Sequence, residues 1–247
     1  AAIQAADGAP LTVVYRRSGA RHTATLTPTA DENGHYKAGV WVRDSGAGIG
    51  TMSFVDPQRG TFAGLGHSIS DADTGADLTL LSGEIVPVTI TGCIRGAAGS
   101  PGELRGEFAA APAGTVLAND AAGVYGSYTG SCTAPALPVA NLQEVTPGKA
   151  ELWTTVLGTT AQPYTIQVER VTMTGNDPNR NLLIRVTDKR LLDATGGVVQ
   201  GMSGSPIVQN GRLAAVLTHV LVNDPSRGYA IFATTMLEKA DAVASSK

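Results

Sequence analysis

Thiols are nearly absent from this chain. Of its 247 residues only Cys93 and Cys132 are cysteine. They form no C-x-x-C pair, so a cysteine-built zinc site is not supported. One disulfide, if the protein is exported, and two buried free thiols remain equally open. Charge is also scarce. Charged residues make up 16% of the chain, the net charge is −3 and no basic run occurs, which speaks against a nucleic-acid or anionic-membrane surface. Long apolar runs are missing, and none reaches the roughly 18–20 residues of a membrane helix. No basic-then-apolar leader is evident, so any targeting segment is expected to lie outside this sequence.

Glycine (30) and proline (13) are plentiful, hydrophobic residues make up 43% and aromatics only 5%. That mixture suits many short strands joined by tight turns better than long helices. Alternating β-branched segments around Ser18-Gly19 predict a β-hairpin over residues 10–28. "TADENG" (29–34) reads as a linker. Residues 36–57 predict two short strands split by a glycine cluster, and 60–78 a short apolar strand running into an acidic turn. Further strands are expected within 84–94 and 114–128. The proline-rich stretch 132–150 marks a crossing between two halves. Strand-like runs follow at 151–157, 164–174 and 181–188, and the tail from residue 234 predicts a helix. The expected class is all-β with a C-terminal helix.

Three chemical motifs fail on their spacing. A G-x-S-x-G elbow needs glycine where Ser205 stands. "GAGIGT" (46–51) ends in Thr51 and leads into a strand rather than a helix, so it is a poor nucleotide loop. "DADTGAD" (71–77) lacks the register of a calcium loop and reads as a solvated acidic turn.

What remains is Gly201-Met202-Ser203-Gly204-Ser205-Pro206. Acyl transfer needs a serine Oγ that projects into a cleft, with backbone N–H groups converging on the developing oxyanion. A glycine two residues before the serine lets the chain turn its N–H inward, and Pro206 launches a strand. Asn210-Gly211 is a strong two-residue hairpin signal between "SPIVQ" and "RLAAVLTHV". Ser205 has the wrong spacing for the oxyanion turn and is expected to bond within the hairpin. The base should be a histidine. His22 falls in the first hairpin, His35 in the linker and His219 on the strand after the serine, whereas His67 ends an apolar strand behind two glycines.

G-x-S-G-x-P followed by a short strand, an N-G turn and "LTHV" resembles the second barrel of chymotrypsin-like serine proteases. The segments "GIGTMSFVDPQRGTFAGLGHSISD" and "GMSGSPIVQNGRLAAVLTHVLVNDPSRGYAIF" resemble, more specifically, the stage IV sporulation protein B peptidases. This resemblance implies a chymotrypsin-like double β-barrel over 36–247, with barrels at about 36–132 and 150–235, and a short C-terminal helix. It implies a catalytic triad of His67, Asp188 and Ser203, and an oxyanion hole from the N–H groups of Gly201 and Ser203. Thr218 falls where a hydroxyl supports the triad, and His219 and Val220 where the strand edge pairs with substrate backbone. Asp188 stands in "VTDKRLL"; by the spacing of ordinary chymotrypsin-like enzymes Asp120 is the alternative, and a capping acid before "KRLL" is the plain structural reading of Asp188. No metal or cofactor is implied.

The same resemblance implies an exported endopeptidase, acting between the forespore and mother-cell membranes during sporulation signalling. Its partner would be a protein substrate, a membrane-anchored regulator, with processing of itself as well. Residues 1–30 resemble the C-terminal part of a PDZ domain. The segment is too short for a whole one, so the chain is expected to be trimmed, with membrane association only through a missing N-terminal segment. A catalytically silent peptide-binding module of the same fold and a general secreted protease stay open.

Overall fold

A computed structural model describes residues 2–17, 19–40, 46–71, 73–174 and 177–245. The chain divides into two compact units, Ala1–Ala47 and Gly48–Lys247.

The first unit has a one-turn helix α1 (Ala2–Ala5) and the expected hairpin, β1 (Leu11–Arg17) against β2 (Ala20–Leu26), in register from Leu11↔Leu26 to Arg17↔Ala20. The stretch read as a linker is instead a second, smaller hairpin, β3 (Thr29–Ala30) with β4 (Tyr36–Lys37). The Asp31 carboxylate accepts from the backbone N–H groups of Asn33 and His35, at 2.9 Å each, and from Lys37 Nζ at 2.9 Å. An aspartate that binds its own downstream backbone builds a turn from residues that look like a polar spacer. Of the two strands expected within 36–57, one is β4 and the other is β5 below; Trp41, Val42, Arg43, Asp44 and Ser45 lie outside the described residues.

In the second unit, β5 (Met52–Asp56), β6 (Thr61–Gly64), β7 (Glu84–Ile85), β8 (Val88–Ile94), β9 (Glu103–Phe108), β10 (Gly114–Asp120) and β11 (Gly123–Tyr128) precede the crossing. Five of them form an open antiparallel sheet in the order β5-β6-β11-β10-β7, while β8 and β9 form a separate two-stranded sheet. The expected run 84–94 is therefore split at Pro87, which has no N–H to give a ladder.

After the crossing come β12 (Gly148–Thr154), β13 (Gln162–Val171), β14 (Leu182–Val186), α2 (Lys189–Thr195), β15 (Pro206–Gln209), β16 (Arg212–Val220), β17 (Arg227–Phe232) and α3 (Ala233–Ser245). The six strands close into a barrel in the order β12-β13-β14-β17-β16-β15, sealed by β15 against β12 at Leu152↔Ile207. Leu152, Ile166, Ile184 and Ile207 fill it and are fully buried. At Asn210 and Gly211 φ is +52° and +74°, the paired left-handed turn that an N-G hairpin requires.

The fold is all-β with a C-terminal helix, as expected, but of the two barrels expected only the second is closed; the first is an open sheet. Helix α3 joins the halves. Its Met236 and Ala240, four residues apart on one face, are buried with Ala63 and Tyr125 of the open sheet and Val216 and Ile231 of the barrel. Full burial of a side chain such as Met236 stabilises by about 1.5–3 kcal/mol.

Candidate active site

Ser203 stands on the turn between α2 and β15. Two glycines shape it, with φ +96° at Gly201 and +97° at Gly204. The fully buried Met202 side chain anchors it from inside. The turn is stitched to its surroundings on both sides. Gly204 N–H donates to Leu217 O at 2.8 Å and Leu217 N–H to Ser205 O at 2.9 Å. Thr51, just before β5, donates its N–H to Ser203 O at 2.8 Å and its hydroxyl to Gly201 O at 3.1 Å. Ser205 is fully buried, and its N–H donates to Met202 O at 2.9 Å, so it is part of the turn's framework. Among the described residues, the N–H groups of Gly201 and Ser203 have no acceptor within the chain.

His67 follows β6 on the open sheet. Its approach is tightly specified. Leu65 has φ +67°, a left-handed conformation rare for a leucine, and its N–H donates to Thr51 O at 3.2 Å. A Cβ on Gly66 would meet Thr218 Cγ2 at 2.9 Å, so glycine lets the chain pass directly over β16. The imidazole Nδ1 is 2.7 Å from Ser68 O. A carbonyl only accepts, so Nδ1 is the donor in this bond, and Nε2 is the ring nitrogen left open. Ser68 and the next residue are themselves held. Ser68 Oγ donates to Asp77 Oδ1 at 2.5 Å. Asn119 accepts from Ile69 N–H at 2.7 Å and donates to Ile69 O and Leu78 O at 3.0 Å each.

The two groups, 136 positions apart in the sequence, both lie at the end of β16. Ser203 Oγ donates to Thr218 O at 2.7 Å, and the His67 ring centroid is 4.9 Å from that of His219. Thr218 is buried, with its hydroxyl on Asn179 O at 2.7 Å. His219 is half-buried, and its enclosed Nδ1 has no hydrogen-bond partner among the described residues. Burial, and then the neighbouring His67, push its pKa down to about 4. Val220 is half-buried at the strand end.

Asp188 stands elsewhere. It caps α2: Oδ1 accepts from Arg190 N–H at 2.9 Å, and Oδ2 from Arg190 Nη2 at 2.7 Å and Thr165 N–H at 3.2 Å. The Arg190 hydrogen bond leads in holding its pKa down, to about 2. Among the described residues its carboxylate makes no contact with His67, whose Nδ1 is taken by Ser68. Asp120 ends β10, and the next strand, β11, pairs with the strand that delivers His67 at Val124↔Gly64. It accepts from Ala122 N–H at 2.7 Å and pairs with Lys239 at 3.1 Å. Asn119 escaped the sequence reading because an asparagine before a turn carries no signal of a long-range clamp. Cys93 and Cys132 are both free thiols.

The turn of Ser203 and the loop of His67 reach the same end of β16, and the family to which the chain belongs is one of serine endopeptidases. The chain belongs to the SpoIVB peptidase S55 family, which it matches over residues 34–237. Comparison with curated proteins gives no match. Among solved structures it is similar to the active form of the Rv3671c protease from M. tuberculosis, at 16% identity over 64% of this chain and 79% of that one, with a TM-score of 0.39. It is similar also to the HtrA-type protease AlgW with a decapeptide, at 14% identity over 79% of this chain and 62% of that one, with a TM-score of 0.40.

Proposed function

We propose that Ser203 and His67 are the nucleophile and base of peptide-bond hydrolysis. The observation that carries this reading is their convergence on residues 218–219. Ser203 Oγ attacks the scissile carbonyl carbon while its proton passes to His67 Nε2. The C–N bond breaks as that proton moves to the leaving amine, leaving an acyl-enzyme. Water, giving a proton to the same Nε2, then releases the acid and restores the serine. The free N–H groups of Gly201 and Ser203 hold the oxyanion. In the resting arrangement the serine hydroxyl is bonded to Thr218 O. A substrate backbone N–H pairing with that carbonyl, along the edge formed by Thr218, His219 and Val220, takes over the acceptor and frees Oγ for the imidazole.

The third member of the triad is Asp188, on the family resemblance. To serve His67 it must exchange its Arg190 partner for the imidazole. A second reading gives the role to Asp120, favoured by its position beside the β6–β11 pair. Asp188→Asn and Asp120→Asn separate them: the orienting residue loses kcat by about 10⁴-fold, and the other does not.

The substrate is a protein, and the family resemblance supports a membrane-anchored regulator cut during sporulation signalling, in the space between forespore and mother cell, together with self-processing. On the same resemblance residues 1–30 are the end of a PDZ module. Incubating the protein and its Ser203→Ala variant with a broad protein digest and with membrane-tethered peptides tests the activity. Cleavage at few sites, lost in the variant, is expected. Indiscriminate digestion would make it a general protease, and no cleavage or serine labelling at all would make it a silent binding module.

A further inference from the structure

The β8–β9 hairpin belongs to no larger sheet. It leaves the open-sheet half and spends its outward hydrogen bonds on the closed barrel. At its base Ile90 and Gly158 exchange N–H···O bonds at 2.8 Å each. Farther along, Leu104 N–H donates to Gln200 O at 2.9 Å, and Gln200 N–H to Gly102 O at 2.9 Å. At the tip Gly96 N–H donates to Thr195 O and Gly99 N–H to Val222 O, both at 2.8 Å. Residues 195, 200 and 222 are not scattered. The first two lie on the segment that runs into Gly201 and Ser203, and the third follows the strand edge formed by Thr218, His219 and Val220.

The side chain of Leu104 completes the contact. It is buried in the barrel's core cluster with Val199 and Met202. A Cβ added to Gly201 would meet Leu104 Cβ at 3.1 Å and Leu104 Cδ1 at 3.3 Å. Leucine 104 therefore lies against the bare Cα of Gly201, whose left-handed φ aims the amide. A glycine is free to leave that conformation, since it pays no Cβ penalty elsewhere. Something outside the turn must hold it: Thr51 Oγ1 bonds its carbonyl, a Cβ there would also meet Ile49 Cγ2 at 3.3 Å, and Leu104 makes the nearest side-chain approach.

We propose that the β8–β9 hairpin is a clamp on the oxyanion-forming turn and that Leu104 is its positioning residue. The inference rests on the serine-peptidase reading of Ser203. The hairpin bonds to the segment before the serine at Gln200 and to the segment after the strand edge at Val222, so it couples the oxyanion donors to the substrate edge. Its action is on the transition state. A donor displaced from the oxyanion costs about 10²–10³ in rate, while substrate binding along β16 is left in place.

Leu104→Ala tests this, with Leu104→Val as a milder truncation and Leu104→Met as the volume-conserving control. Three quantities are read: kcat and KM on a cleaved peptide, affinity for a peptidyl boronate that mimics the tetrahedral intermediate, and amide hydrogen exchange over residues 199–204. For Leu104→Ala, kcat and boronate affinity are expected to fall together by at least about 10-fold with KM within about twofold. Exchange at 199–204 should rise while β12–β17 stay protected, and Leu104→Met should restore all three. Unchanged exchange at 199–204 in folded Leu104→Ala, or a loss confined to KM, would overturn the clamp. If Leu104→Ala does not fold, the same outcomes are read on Leu104→Val. The exchange measurement needs no turnover, so failure of the clamp and failure of the peptidase reading are seen separately.

Discussion

At position 204 a single methyl group decides whether the turn can exist. A Cβ there would sit 1.9 Å from Thr51 O and 2.7 Å from Leu65 N, on a backbone with φ +97°. Left-handed strain and backbone overlap each cost about 1–3 kcal/mol. Gly204→Ala is therefore expected to lower stability by roughly 2–6 kcal/mol, read as a shift in the urea midpoint, and to abolish turnover, because Thr51 also holds Ser203 O. His219 makes a pH-dependent contribution. Its folded pKa is about 4, against an ordinary 6.5. Between those values the unfolded chain binds more protons, so stability falls as pH drops through that window and the contribution is fully present above it. Comparing urea midpoints at pH 7.5 and 4.5 for the wild type and His219→Gln measures it. The wild type should lose more of its stability over that interval, and equal losses would show that the buried imidazole is not neutral.

At the scale of elements, α2 is the informative case. Asp188 is its N-cap and Gly196, at φ +79°, its left-handed C-cap. Asp188→Ala is expected to cost about 1 kcal/mol of stability, while Asp188→Asn, a good cap in its own right, costs less. Thermal melts of the two variants beside their kcat values separate capping from any role at His67. Because Arg190 lowers the Asp188 pKa to about 2, this carboxylate stabilises above its ordinary pKa of 3.8 and the effect is lost as pH falls toward 2. Arg190→Ala should shift acid unfolding to higher pH. The sequence offered no periodicity for a helix as short as Lys189–Thr195, so only the capping alternative at Asp188 hinted at it. Strand β9 was equally silent: "ELRGEF" carries three charges and a central glycine, and a long Gly-rich tip separates it from β8. The Asn210-Gly211 hairpin, by contrast, was legible because its turn conformation is dictated by two adjacent residues. The small hairpin at Asp31 was missed because a polar spacer and an aspartate-built turn share one composition.

On the scale of the whole molecule, the proposed site requires two halves of one unit to be held together. His67 comes from the open sheet and Ser203 from the closed barrel, and α3 packs into both through Met236. Met236→Ala is expected to cost about 2–5 kcal/mol and to reduce kcat at temperatures where the protein is still folded, since the sheets can then shift against one another. Melting curves and turnover measured on the same sample check this. The serine turn was legible because its chemistry is local, with glycines and a proline at fixed spacing. The proposed pairing with His67 rests on the order of motifs along the chain and on the approach of both residues to the end of β16. The orienting carboxylate was not, because Asp188 and Asp120 each sit where an aspartate would serve equally well as a turn or cap residue.

Reaction with a fluorophosphonate, followed by intact-mass and peptide-mapping mass spectrometry, tests the central pairing most directly. In the wild type the account predicts one adduct, on Ser203, none in Ser203→Ala, and labelling slowed by orders of magnitude in a folded His67→Ala protein. An adduct elsewhere, or labelling of Ser203 at an unchanged rate without the imidazole, would contradict it.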